Sequence, residues 1–233
     1  MTSTKQTTKI TVKLFAPLYE KFSNQLAAMP LLKDAFIEHM IRSELPYLDE
    51  DLEGKRNSEA ANRYIAGTLK RMGAKEKELE PVSIKVAMST AARLRKVTER
   101  HNLCRDAFVN YLIACIRGED KFLKGLGFAT RVHDVHRQAG VEDMPTSPLK
   151  AIEVSLSDPL HYMRNECWTL YSCGLYAMEL PATLHGLACY LPDEQVPGTP
   201  ARAKYLAVFD LDLSFPSPSP SASRAGRPVR GVE

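Results

Sequence analysis

Two stretches of the chain alternate strictly between apolar and polar residues, one near the start and one further along. Their apolar positions are Ile10, Val12, Leu14, Val82, Ile84 and Val86. Their polar positions are Lys9, Thr11, Lys13, Ser83 and Lys85. Because successive side chains of a strand point to opposite faces, this alternation predicts two strands, each buried on one face only.

Two helical patterns follow the first predicted strand. An apolar stripe over Leu18–Met29 ends at Pro30, which cannot continue a helix. A second stripe, over Phe36–Ile41, predicts another helix. We expect this helix to end between Arg42 and Leu45, because Pro46 follows.

The second predicted strand is followed by the same arrangement. Apolar positions over Leu94–Thr98 predict one helix, and Asn102 marks a turn. The stripe over Phe108–Ile116 predicts a further helix that stops at Gly118, a residue typical of helix ends. Both halves of this region therefore have the order strand, helix, helix.

An internal repeat underlies this common order. Residues 31–37, Leu-Leu-Lys-Asp-Ala-Phe-Ile, return without a gap as residues 103–109, Leu-Cys-Arg-Asp-Ala-Phe-Val. Apolar positions match apolar positions across both copies. Residues that recur unchanged at the same offset include Lys13, Asp34, Ala35, Phe36 and Ile41. We interpret the chain as two copies of one small module.

The remaining segments complete the predicted organisation. A helix is expected from Ser58 to Gly73, and strands at 152–156 and 205–209 in a C-terminal region of mixed structure. The tail is rich in proline and serine, which predicts disorder. The expected divisions are 1–45 (first copy), 46–80 (linker with the connecting helix), 81–128 (second copy), 129–215 (C-terminal region) and 216–233 (tail).

Composition limits the functional classes. The 233 residues carry a net charge of +3, so a surface that binds polyanions must come from local placement of charge. Met1–Lys9 is polar and has no apolar run behind it, so we expect no cleavable signal peptide. The most apolar window, Cys167–Leu191, is interrupted by Glu179, Pro181 and His185, so we expect no membrane span and a cytoplasmic protein.

Enzymatic and metal chemistry have little support in the sequence. The five cysteines are an odd number without tight spacing, which favours reduced thiols. The run His133-Asp134-Val135-His136 lacks the paired ligands typical of structural zinc sites. Cys167 with His161 or His185 could form a nucleophile and base, but no motif supports this pairing. We therefore expect a protein that is not an enzyme and has no metal or cofactor.

One strand with two short helices cannot satisfy its own backbone, since the strand has no partner. Two copies solve this problem by pairing their strands antiparallel and closing a core with four helices. The inner face of this ribbon would be apolar, and the outer face would present the lysines, Thr11 and Ser83. A two-stranded ribbon of this kind fits the major groove of B-DNA, where base edges carry a readable pattern of donors and acceptors.

This pattern resembles the ribbon-helix-helix (MetJ/Arc-like) family of prokaryotic DNA-binding proteins, here duplicated within one chain over about residues 8–118. The resemblance implies an α+β, mostly α fold with a two-stranded antiparallel ribbon, four helices and a connecting helix. It implies base contacts from Lys9, Thr11, Lys13, Ser83 and Lys85. It also implies phosphate contacts at the starts of the second helices, by Lys33 with Asp34 and Arg105 with Asp106, through their backbone amides. The N-cap positions of those helices are Leu32 and Cys104, where the family often has serine or threonine.

The resemblance makes a sequence-specific transcriptional regulator of plasmid or mobile-element transfer genes the leading hypothesis. An activator is favoured over a repressor, because the connecting helix and C-terminal region exceed what simple occlusion requires. Double-stranded DNA is the expected partner, with a homodimer on adjacent sites and RNA polymerase as a candidate contact. Two alternatives are an architectural relaxosome or partition protein and a protein-only adaptor or oligomerisation module.

Overall fold

A computed structural model describes residues 6–29, 31–74, 79–128 and 156–210. This part of the protein is α+β and mostly helical, with one two-stranded antiparallel sheet. In chain order the elements are β1 (Thr7–Phe15), α1 (Ala16–Ala27), α2 (Lys33–Asp51), α3 (Glu59–Ala74), β2 (Leu79–Ala87), α4 (Met88–His101), α5 (Arg105–Arg117), α6 (Asp120–Gly125), α7 (His161–Tyr171), the 3₁₀ helices Ala182–Leu187 and Asp193–Gln195, and α8 (Pro200–Asp210).

The strands β1 and β2 pair antiparallel within one chain, which confirms the predicted ribbon. Thr11 lies opposite Ser83, its own counterpart in the repeat 72 residues later. Lys9 lies opposite Lys85, and Lys13 lies opposite Pro81. The centre of the ribbon therefore coincides with a pseudo-twofold axis that relates the two sequence copies.

The inner face of the ribbon forms one side of the hydrophobic core. Its buried residues are Ile10, Val12, Leu14, Ile84 and Val86, while Val82 is half-buried. Each fully buried aliphatic side chain of this size contributes roughly 1.5–3 kcal/mol. Helix packing crosses between the copies, because α2 packs against β2 and α5 packs against β1. Each second helix thus covers the strand of the other copy.

Helix α2 is longer than the sequence pattern predicted. The expected end between Arg42 and Leu45 is wrong, because α2 continues to Asp51 with Pro46 inside it. The proline ring is exposed, so the Arg42 carbonyl that loses its helical hydrogen bond lies on the solvent side of the helix. Beyond the proline, Leu48 is fully buried and extends the apolar stripe, which outweighs the local cost.

The connecting helix was predicted correctly. It begins after Ser58, whose hydroxyl accepts a hydrogen bond from the Ala61 amide at 3.0 Å, as an N-cap residue does. Buried Ala61, Ile65 and Leu69 then form its apolar stripe. Helix α3 packs against the 3₁₀ helix over 182–187 and so joins the repeats to the C-terminal segment.

The C-terminal segment differs from the predicted mixed structure. Residues 205–209, predicted as a strand, lie in helix α8. The Thr199 hydroxyl accepts a hydrogen bond from the Arg202 amide at 3.1 Å, and Pro200 occupies the first turn, so a strong helix start overrides the short alternation. Of the strand expected at 152–156, residues 152–155 lie outside the described residues, as do the tail at 216–233 and the His133–His136 run.

A buried ion pair fastens this segment to α2. Glu44 is fully buried, and its carboxylate accepts hydrogen bonds from Arg164 at 2.7 and 2.8 Å and from the Tyr176 hydroxyl at 2.7 Å. Arg164 also pairs with Asp158, and its guanidinium lies 3.7 Å from the centre of the Tyr47 ring. Both carboxylate oxygens of Glu44 and both terminal nitrogens of Arg164 therefore have partners inside the protein, as a buried charge requires.

Candidate nucleic-acid interface

The outer face of the ribbon presents the residues that the alternation predicted there. All five are exposed: Lys9, Thr11, Lys13, Ser83 and Lys85. At the centre, the Thr11 and Ser83 hydroxyl oxygens lie 3.4 Å apart. Within the described part of the chain, none of the three lysines forms an ion pair. The face therefore offers uncompensated ammonium groups on either side of a hydroxyl pair.

The lysines Lys9 and Lys85 stand directly across from one another. Like charges in this position destabilise a sheet slightly. The sequence nevertheless places them on a face without acidic neighbours in the ribbon register, where an anionic partner would relieve their repulsion.

The free edge of β1 is covered by α5. Asn110, fully buried, accepts a hydrogen bond from the Phe15 amide at 2.9 Å and donates to the Lys13 carbonyl at 2.8 Å. The Arg105 guanidinium donates to the Thr11 carbonyl at 2.6 Å. These contacts give three outward backbone groups of β1 partners and hold the strand against α5.

Sequence reasoning missed Asn110. The signal was a polar residue inside the otherwise apolar stripe over Phe108–Ile116, and a buried asparagine needs partners for its amide. Those partners lie on a strand about a hundred residues earlier in the chain. The sequence therefore indicated a buried amide that needs hydrogen-bond partners, but not which residues they are.

The free edge of β2 is braced from α2. The Asp34 carboxylate accepts a hydrogen bond from the Lys85 amide at 3.2 Å. One turn further on, Glu38 accepts a hydrogen bond from the Thr90 hydroxyl at 3.3 Å. Glu38 is the repeat counterpart of Asn110, and both side chains contact the opposite copy. Asp34 has no such equivalent, because its counterpart Asp106 pairs with Arg105 and it is Arg105 that contacts β1.

The four residues predicted to contact phosphate lie at the starts of α2 and α5, beside the ribbon. The N-cap residues of these two helices are Leu32 and Cys104, as expected, and neither side chain makes a capping hydrogen bond. Lys33 has its ammonium 4.8 Å from the centre of the Tyr19 ring. Asp34 and Arg105 use their side chains on the ribbon, so any contact to phosphate at these positions falls to the backbone amides and the positive helix ends.

The cysteine thiols of the protein are unpaired. All five cysteines are free, and burial raises the pKa of the Cys167 thiol to about 12, which keeps it protonated near neutral pH. In residues 6–29, 31–74, 79–128 and 156–210, no group of three or more histidine, cysteine or acidic side chains could hold a metal ion. Over the same ranges, the length and apolar character needed to cross a bilayer are not combined in any helix.

Comparison with known proteins identified no relative of this chain. No family model matches the chain, and neither characterised proteins nor solved structures match it significantly. The function is therefore inferred from the geometry of the ribbon and its surroundings.

Proposed function

We propose that the protein is a sequence-specific DNA-binding transcriptional regulator of the ribbon-helix-helix type. One observation carries the proposal. The chain pairs two strands into a ribbon whose inner face is the core, whose edges are covered by helices, and whose outer face exposes Lys9, Lys13 and Lys85 without ion-pair partners in the described residues. Of the surfaces of this ribbon, the polar outer face is the one left free to meet a ligand.

The dimensions and chemistry of the face suit the major groove. B-DNA has a major groove about 12 Å wide, which admits a two-stranded ribbon. Lysine donates to the O6 and N7 acceptors of guanine, and short hydroxyl side chains such as Thr11 and Ser83 can donate or accept. The starts of α2 and α5 lie on either side of the ribbon, where their amides would meet phosphates of the two flanking backbones.

The proposal includes a biological role for the regulator. Control of plasmid or mobile-element transfer genes is the setting in which this type of reader is common, and activation is favoured over repression. Each chain contains a complete ribbon, so one chain forms one reader and two chains would occupy adjacent sites as a homodimer. RNA polymerase is the candidate protein contact of an activator.

Removal of a ribbon lysine should weaken specific binding selectively. Lys13→Ala and Lys85→Ala are each expected to cost about 1–3 kcal/mol on the specific site, because each removes a donor to a base edge. Binding to random DNA should change much less. Fluorescence anisotropy measures both affinities, with a duplex that carries the specific site and with a scrambled duplex. The matched control is Lys70→Ala, which removes an exposed lysine of α3. Equal losses on both duplexes would show that these lysines meet only phosphate.

Salt and genomic position separate the proposal from its alternatives. Groove binding should weaken steeply as salt rises, since phosphate contacts release counterions. A protein-only adaptor would show no salt-sensitive binding to DNA. Footprints at promoters support a regulator, whereas clustered footprints at a transfer origin or centromere indicate an architectural role.

A further inference from the structure

We infer that a single ribbon recognises a non-palindromic sequence, with guanine contacts concentrated under the end that carries Lys9 and Lys85. This inference rests on the proposed DNA-binding function and adds the polarity of its target. It follows from the register of the ribbon, from the residues that break the repeat, and from the charge beside each end.

The register divides the outer face into two unequal ends. Antiparallel pairing about the Thr11–Ser83 centre brings Lys9 and Lys85 together at one end and Lys13 and Pro81 together at the other. A symmetric repeat would place two lysines at each end, but Pro81 stands where the first copy has Lys9. One end therefore offers two ammonium groups to base edges, and the other offers one ammonium group beside a proline ring that cannot donate.

The positive charge around the ribbon is also greater at the end that carries Lys9 and Lys85. Beside Lys9 lies an open groove of about 480 Å³ between β1, α4 and α5, which Arg95, Glu99 and Arg105 also line. Arg95 forms an ion pair with Glu99 at 2.7 Å, so the net excess of this groove comes from Lys9 and Arg105 over Asp106. The repeat counterparts of Lys9, Arg95 and Arg105 are Pro81, Ser23 and Lys33.

The proline end carries fewer unpaired cations on the outer face, Lys13 alone against Lys9 and Lys85 at the other end of the described ribbon. Glu80 precedes Pro81 and is exposed. Helix α1 begins at this end, and its Lys21 is paired with Glu119 at 3.6 Å. A duplex that lies along the ribbon thus meets more positive charge at the Lys9–Lys85 end, and this fixes the direction in which the reader sits on an asymmetric site.

Two substitutions would make the face symmetric. Pro81→Lys and Ser83→Thr together give the second strand the same outward residues as the first, namely lysine, threonine and lysine. Both positions are exposed on the outer face, so the core is untouched. The native chain and this double variant form a matched pair for in vitro selection from random duplex DNA, using the full chain in each case.

The native chain should select a motif whose two halves differ, and the double variant should select a motif with matching halves about the same centre. If two chains bind side by side, this holds for the half of the site that each chain covers. A native motif that is already palindromic about the centre of one ribbon would overturn the inference while leaving the proposed function intact. Failure to enrich any sequence would overturn the proposed function itself, and the polarity with it.

Contact mapping on the native site provides a second measurement that does not depend on the double variant. Lys9→Ala and Lys85→Ala should each weaken binding roughly 5- to 150-fold. The base pairs whose substitution no longer weakens the binding of these variants should lie in the same half of the site. The base pairs affected by Lys13→Ala should lie in the other half. Overlap of all three sets, or an even split of Lys9 and Lys85 between halves, would contradict the inferred polarity.

Discussion

Arg164→Ala is expected to lower the free energy of unfolding by about 3–5 kcal/mol, because it leaves a buried carboxylate without its charged partner. Glu44 is fully enclosed and accepts two hydrogen bonds from Arg164. The substitution also removes the contact between the guanidinium and the Tyr47 ring and the link to Asp158. Urea unfolding followed by circular dichroism measures the loss. Arg63→Ala, which removes an exposed arginine of α3, should change stability little.

The loss should depend on pH in a defined direction. Burial raises the pKa of Glu44 above its ordinary value, although Tyr176 and Arg164 act to lower it. Without Arg164 this pKa rises further, so the folded state binds a proton more tightly than the unfolded state does. Stability then falls as pH rises from the unfolded pKa through the folded pKa. The variant should therefore be closer to wild type near about pH 5 than near about pH 8; the opposite order would refute this account.

Asn110→Ala is expected to cost about 2–4 kcal/mol, since it strands an amide and a carbonyl at the covered edge of β1 and leaves a small void. The groups that lose their partner are the Phe15 amide and the Lys13 carbonyl. Thermal unfolding measures the global effect. Amide exchange at Phe15 reports the local effect, and it should accelerate by more than the global loss alone would produce.

The repeat supplies the matched control for this variant. Glu38 occupies the position of Asn110 in the first copy, but it is only half-buried and makes one 3.3 Å hydrogen bond, to Thr90. Glu38→Ala should therefore cost no more than about 1 kcal/mol. If the two variants lost equal stability, the edge contact of Asn110 would not be the cause, and general helix propensity would be the better explanation.

The ribbon could be predicted because its signal is local and doubled. Alternation over 9–14 and 82–86 determines which side chains face inward, and the repeat supplies the missing partner strand. The end of α2 could not be predicted, since a proline inside a helix is tolerated only when its ring faces solvent and the residues beyond it are buried. The spacing of Leu48 and Leu52 continues the helical stripe of Ile41 and Leu45, but only the packing shows that their burial outweighs the cost of the proline.

Some of the important residues could likewise be predicted from the sequence, and others could not. Lys9, Lys13 and Lys85 follow from parity along a strand, which the sequence shows directly. Asn110 and Arg164 matter through partners 97 and 120 residues away, and a single sequence carries no record of such distant pairings. Asp34 and Arg105 were predicted to contact phosphate through their backbone amides, which stays a prediction; the use of their side chains in bracing the ribbon became visible only from the contacts.

The covering of both strand margins has a consequence for how copies of the chain can associate. An uncovered margin would recruit a third strand from another molecule, the usual route to intermolecular sheet growth. Here Asn110 and Arg105 occupy one margin and Asp34 the other, so an incoming strand would have to displace them. Under the proposed function, neighbouring molecules on a duplex would touch through helices or loops, and each would remain a separate two-stranded unit however many are lined up.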